Sequence, residues 1–74
     1  MKEVSIRTDY ITLGQALKLA DIASTGGHAK VLLQEQAVLV NGEIDERRGR
    51  KLYDGDKVEV KSEGSFRIVK SQEA

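Results

Sequence analysis

Asn41-Gly42, placed directly after the alternating run Val38-Leu39-Val40, constrains this chain more than any other pair of residues. Both central positions of a type I′ turn need positive φ, which Asn and Gly tolerate, so the pair predicts a tight hairpin. A second turn-and-strand signal lies close behind it. Asp54-Gly55-Asp56 reverses the chain, and Val58 and Val60 alternate with Lys57, Glu59 and Lys61 as a half-buried strand does. Between the two signals stand Arg47, Arg48, Arg50 and Lys51, four cations in five residues around Gly49, before Leu52 restores an apolar position. The stretch 37–60 therefore reads as two strand signals flanking a cationic connection, and the rest of the chain is organised around it.

The preceding half is helical. Thr12 has the character of an N-cap, with Gln15 three residues on to complete a capping box and Ile11 positioned to staple against Ala16. Leu13, Ala16, Leu17, Ala20 and Ala23 follow helical spacing, Leu19 and Ile22 widen the apolar face, and Lys18 and Asp21 fall opposite. Gly26-Gly27 is too flexible for the middle of one long helix, so the helical region divides between residues 24 and 27. A second helix is expected from about Thr25 or Gly27 to about Gln36, burying Ala29, Leu32 and Leu33, with Val31 nearby and Lys30 and Gln34 outside. No glycine marks its end. Val4 and Ile6 suggest a short opening strand. Glu63-Gly64 turns the chain into a last strand through Phe66, Ile68 and Val69, which pairs back onto residues 57–61; residues 71–74 are expected to fray.

These elements predict an α+β fold of two helices packed on a small, mostly antiparallel sheet. With 74 residues the chain reads as one domain, residues 1–74, whose core buries only about two-thirds of the surface exposed by the unfolded chain. The absence of cysteine removes disulfides and thiolate metal sites. Neither a signal peptide nor about 18 consecutive apolar residues is present, so a soluble cytoplasmic protein without a membrane partner is expected. Twelve basic and twelve acidic residues cancel, so a polyanion-binding surface must come from segregation of charge. The three aromatics, Tyr10, Tyr53 and Phe66, are few for a platform that stacks single-stranded bases; Tyr53, just after the basic run, reads first as cover for a sheet face and second as a ring that could stack on a ribose or base.

The candidate binding residues follow from charge and backbone chemistry. Arg47, Arg48, Arg50 and Lys51 offer guanidinium forks and an ammonium to phosphate oxygens, against the plainer reading of a solvated loop neutralised by Glu43, Asp45 and Glu46. Gly26 and Gly27 at a helix start read equally as backbone N–H donors to an anion and as a plain chain reversal between helices; Lys30, one turn further on, could reach the same anion, though a surface lysine there reads first as solvent-facing. His28, the one histidine, lacks the partners of a metal site and reads as a polar contact near the helix start. Asp54 and Asp56 are turn residues. No Ser-His-acid set, paired buried carboxylates or phosphate-loop lysine can be assembled, so neither catalysis, a cofactor nor a metal is expected.

The order of helix, glycine-rich break, helix, V-x-V-N-G hairpin, basic connection and L-x-x-G-D-x-V-x-V strand resembles the S-four (S4) RNA-binding domain. It is most similar to the small free-standing bacterial form, the YaaA type. The matching residues are Leu13, Leu17 and Leu19; Thr25-Gly26-Gly27, Ala29-Lys30 and Leu32-Leu33; and Val38, Val40 to Glu43, Arg47 to Leu52 and Gly55-Asp56. They span residues 11–60, the core of the alpha-L RNA-binding motif. The resemblance implies that the two helices and the hairpin connection form one face that binds structured RNA, ribosomal or transfer RNA or the ribosome, as a monomer and without preference for DNA. It adds Lys18 and the Gly26-Gly27-His28 segment to the expected face. Many such domains open the second helix with arginine or serine-arginine, where this chain has Gly26, Gly27 and His28; Lys18 alone represents the cations of the first helix. Residues 38–60 also resemble a β-grasp sulfur carrier, but that chemistry expects one helix and a C-terminal Gly-Gly, where this chain reads Ser71-Gln72-Glu73-Ala74. A protein-interaction module using a strand edge or helix face is the third reading.

Overall fold

A computed structural model describes residues 1–71. In chain order the elements are β1 (Lys2–Ile6), β2 (Ile11–Thr12), α1 (Leu13–Leu19), α2 (Gly26–Gln34), β3 (Val38–Val40), β4 (Glu43–Ile44), β5 (Lys51–Leu52), β6 (Lys57–Val60) and β7 (Gly64–Lys70). The α+β expectation holds: five strands in the order β1-β7-β6-β3-β4 form one sheet, and β2 pairs with β5 in a separate ribbon. All pairings are antiparallel except β1 with β7, where Val4 lies beside Ile68.

Strand alternation builds the core. Val4 and Ile6, Val38 and Val40, Val58 and Val60, and Phe66 and Ile68 turn inward. They form one cluster with Leu13, Ala16 and Leu17 of α1, Ala29 and Leu33 of α2, and Leu52 of the ribbon. Asn41 (φ 51°) and Gly42 (φ 89°) make the expected left-handed pair between β3 and β4, and Val40 faces Glu43 across the turn. Asn41 also ties the hairpin to the next turn: its side chain donates to Asp56 at 3.1 Å and accepts from the Lys57 N–H at 3.0 Å.

The helices begin as expected and end differently. Thr12 and Gln15 form the capping box. Thr25 caps α2 by accepting the His28 N–H at 3.0 Å. The expectation that α1 runs on to Ala23 fails, because Ala20 is its C-cap and Asp21 turns left-handed with φ 62°. The Asp21 and Ile22 N–H groups return to the Lys18 and Leu17 carbonyls, a Schellman closure. Gln36, φ 59°, closes α2 in the same way, with Gln36 and Ala37 donating to Leu33 and Leu32. Polar residues thus end both helices at the left-handed position that glycine usually takes. Gly26 and Gly27 are helical, in the first turn of α2, and the break lies before them. Leu19 and Val31, expected on or near the buried stripes, are exposed, Leu19 by 60%. At about 100° per residue Leu19 points well away from the face shared by Leu13, Ala16 and Leu17.

The parallel β1-β7 contact brings the first and last strands of the described chain together, and the Ser71 N–H donates to the Ile6 carbonyl at 2.7 Å. Ser71 is therefore tied down, while the rest of the segment expected to fray lies outside the described residues. Lys2 Nζ donates to the Ala20 carbonyl at 2.7 Å, fastening β1 to the end of α1. Among the described residues no helix is long and apolar enough to cross a membrane.

Candidate nucleic-acid interface

The basic connection is wired into the fold through one carboxylate. Asp45 is 6% exposed. Its Oδ1 accepts the Arg47 backbone N–H at 2.9 Å and Arg47 Nε at 3.1 Å, while Oδ2 accepts Arg47 Nη2 at 2.8 Å and Arg50 Nη1 at 2.7 Å. The Arg47 side chain, then its backbone N–H and Arg50, hold the Asp45 carboxyl well below the usual carboxylate range against the opposing effect of burial. The same pairing raises the Arg47 guanidinium. Asp45 therefore does more than neutralise a loop: it fixes the path of residues 45–50 while the Arg47 side chain stays 72% exposed.

That path is docked onto the first turn of α1. The Leu13 N–H donates to the Arg50 carbonyl at 2.8 Å and the Gly14 N–H to the Arg48 carbonyl at 2.9 Å, while Thr12 takes the Gln15 N–H. The first-turn donors of α1 are thus consumed by the basic loop and the cap. The Arg48 side chain crosses Gly14 so closely that a Cβ there would lie 2.5 Å from Arg48 Cγ. Gly14 was missed in the sequence, where it reads only as a weak helix former next to a strong cap. Gly49 needs no such space, since a Cβ there would meet nothing within 4 Å.

The start of α2 is arranged in the opposite way. Thr25 satisfies the His28 N–H and, through its carbonyl, the Ala29 N–H. Among the described residues no loop carbonyl accepts the Gly26 or Gly27 N–H groups at the first two helical positions, and the partial positive charge of the helix end is available there. His28 Nδ1 accepts the Ser24 N–H at 3.2 Å, so this ring acts within the turn that leads into the helix. Among the described residues no group of three or more His, Cys, Asp or Glu side chains could hold a metal ion.

The structure brings several of the sequence candidates together and separates others. An open groove of about 590 Å³ is lined by Thr12, Gly14, Gln15, Lys18, Gly26, Arg48 and Gly49. It joins the first helix, the start of the second and the basic connection. Arg48 also lines an adjoining depression with Lys30, Gln34 and Glu46, so its side chain lies between Lys18 on one side and Lys30 on the other. Arg47 and Arg50 line neither depression; both are held by Asp45. Lys51 diverges: it belongs to β5, with its Nζ 4.8 Å from the centroid of the Tyr10 ring. The four-cation cluster is therefore three groups with different surroundings. The arrangement can hold extended anions by charge and backbone N–H donation.

Residues 4–69 match the family described as the S4 domain. The chain is also similar to the "Probable ribosome maturation protein RlbA" of Bacillus subtilis (strain 168), with 61% identity over 66 residues that make up 89% of this chain and 93% of that protein.

Proposed function

Because this chain belongs to the S4 domain family, we propose that it binds structured RNA without catalysing a reaction. The target is ribosomal RNA within the ribosome or a precursor of it. The family supplies the class of ligand, and the name of the Bacillus subtilis relative, a ribosome maturation protein, points to the ribosomal target. The observation that carries the reading is the groove in which Lys18, the Gly26 backbone and Arg48 converge from three separate segments. Cations and backbone donors spaced along an open groove suit the phosphates of an RNA strand, while the near absence of clustered amide side chains favours recognition of shape and 2′-hydroxyls over base edges.

Salt titration of RNA affinity tests this. Lys18, Lys30, Arg48 and one of the Asp45-bound arginines neutralise about four phosphates, so the log-log slope against salt is expected near 3 in magnitude. Arg48→Glu is expected to reduce affinity at least tenfold. Lys30→Glu is expected to reduce it several-fold while the melting temperature moves by no more than about 2 °C, the ordinary range for an exposed site. Binding with no dependence on salt, or unaffected by either charge reversal, would remove the reading.

A further inference from the structure

The ribbon of β2 and β5 carries a surface that phosphate binding leaves unexplained. Its register pairs Ile11 with Leu52, both buried, and Thr12 with Lys51. Strand alternation therefore sends Tyr10, Thr12, Lys51 and Tyr53 to the opposite, outward face. Two of the chain's three aromatics meet there, with ring centroids 6.0 Å apart and planes inclined by 51°. Both remain accessible, Tyr10 by 42% and Tyr53 by 49%. The Lys51 ammonium stands over the Tyr10 ring at 4.8 Å.

This face is continuous with the groove. Thr12 belongs to both, and a second depression, lined by Ile6, Tyr10, Gln15, Lys18 and the exposed Leu19, shares Gln15 and Lys18 with the first. We propose that the outer face of the β2-β5 ribbon is a stacking shelf for one unpaired base of the bound RNA, whose flanking phosphates run past Lys51 and Lys18 into the groove. The proposal rests on the RNA-binding reading above. An apolar protein segment would use the rings and strand the cations; a nucleotide uses both, offering a π-face to the tyrosines and a phosphate to the lysines.

The shelf makes the protein favour RNA with an unpaired nucleotide beside a helix. The test compares two RNA hairpins that differ by a single bulged adenosine, titrated with the full chain at low salt by fluorescence anisotropy. Wild type is expected to bind the bulged hairpin about tenfold more tightly, the order of one base-aromatic stack. Tyr53→Ala is expected to abolish that preference and leave affinity for the fully paired hairpin unchanged, whereas Tyr53→Phe retains it. Arg48→Glu is expected to weaken both hairpins equally. Equal binding of both hairpins by wild type would overturn the shelf and leave the RNA reading standing. So would a loss in Tyr53→Ala that falls equally on both hairpins, which would make Tyr53 a structural residue. Failure of either hairpin to bind in a salt-dependent way would remove the RNA reading itself, and the shelf with it.

Discussion

Arg48 reaches the groove only because residue 14 has no side chain. A Cβ at Gly14 would sit 2.5 Å from Arg48 Cγ and 3.2 Å from its Cδ, so the arginine would be pushed off the first turn of α1. Arg48 is exposed and free to swing outward, and alanine is the better helix former. Gly14→Ala is accordingly expected to change stability by less than about 1 kcal/mol yet lower RNA affinity several-fold, approaching the loss in Arg48→Ala; urea unfolding and anisotropy on the same preparation separate the two effects. Asp45 has the reverse profile. Its carboxylate is held by Arg47 and Arg50 in the folded protein, and its pKa is depressed below the unfolded value of about 3.9. The stabilisation is therefore complete above about pH 4 and is lost as pH falls below that toward the depressed folded value. Asp45→Asn is expected to cost about 1–2 kcal/mol at pH 7, less than a fully buried pair because Arg47 faces water. The gap from wild type is expected to narrow in chemical denaturation below pH 4.

At the level of elements, the two helix starts divide structural and binding roles. The α1 start is closed by Thr12 and the carbonyls of residues 48 and 50, whereas the α2 start carries two glycines that the fold does not require. Neither has a left-handed backbone, and a Cβ at Gly26 would meet nothing within 4 Å. Glycine costs stability in a helix, so its presence here without a packing reason is consistent with keeping the backbone open to a ligand. Gly26→Ala is expected to stabilise the protein by about 0.4–1 kcal/mol and to weaken RNA binding. A rise in melting temperature with unchanged affinity would assign the glycine no part in binding. The same elements show what was legible in the sequence. Thr12 with Gln15 and Asn41 with Gly42 act over three residues or fewer, and local chemistry fixes them. The ends of the helices at Asp21 and Gln36 were not legible, because their left-handed turns are held by return hydrogen bonds at positions where polar residues replace the usual glycine. The β2-β5 pairing was also missed, since two-residue strands carry no periodicity, and with it went the meeting of Tyr10 and Tyr53 and the passage of Arg48 over Gly14.

For the whole molecule the question is whether the proposed RNA face and the five-stranded sheet unfold together. One buried cluster runs from Phe66 and Ile68 in the sheet through Leu17 and Leu33 in the helices to Leu52 in the ribbon. The ribbon and both helix starts thus rest on the same apolar contacts as β7, although the molecule extends 40 Å along its long axis and only 18 Å along its shortest. Two spectroscopic probes report on different parts of it. The chain has no tryptophan, and both tyrosines lie on the ribbon, so tyrosine fluorescence follows the end that carries the basic loop. Far-UV circular dichroism follows the helices and the large sheet. A single cooperative unit requires the two urea transitions to coincide. Phe66→Ala, a truncation at the largest fully buried side chain and distant in sequence from both tyrosines, is expected to cost about 3–5 kcal/mol and to move both transitions by the same amount. If the tyrosine signal kept its wild-type midpoint in that variant, the ribbon and its loop would be a separate folding unit, and the reading of residues 1–74 as one domain would fall.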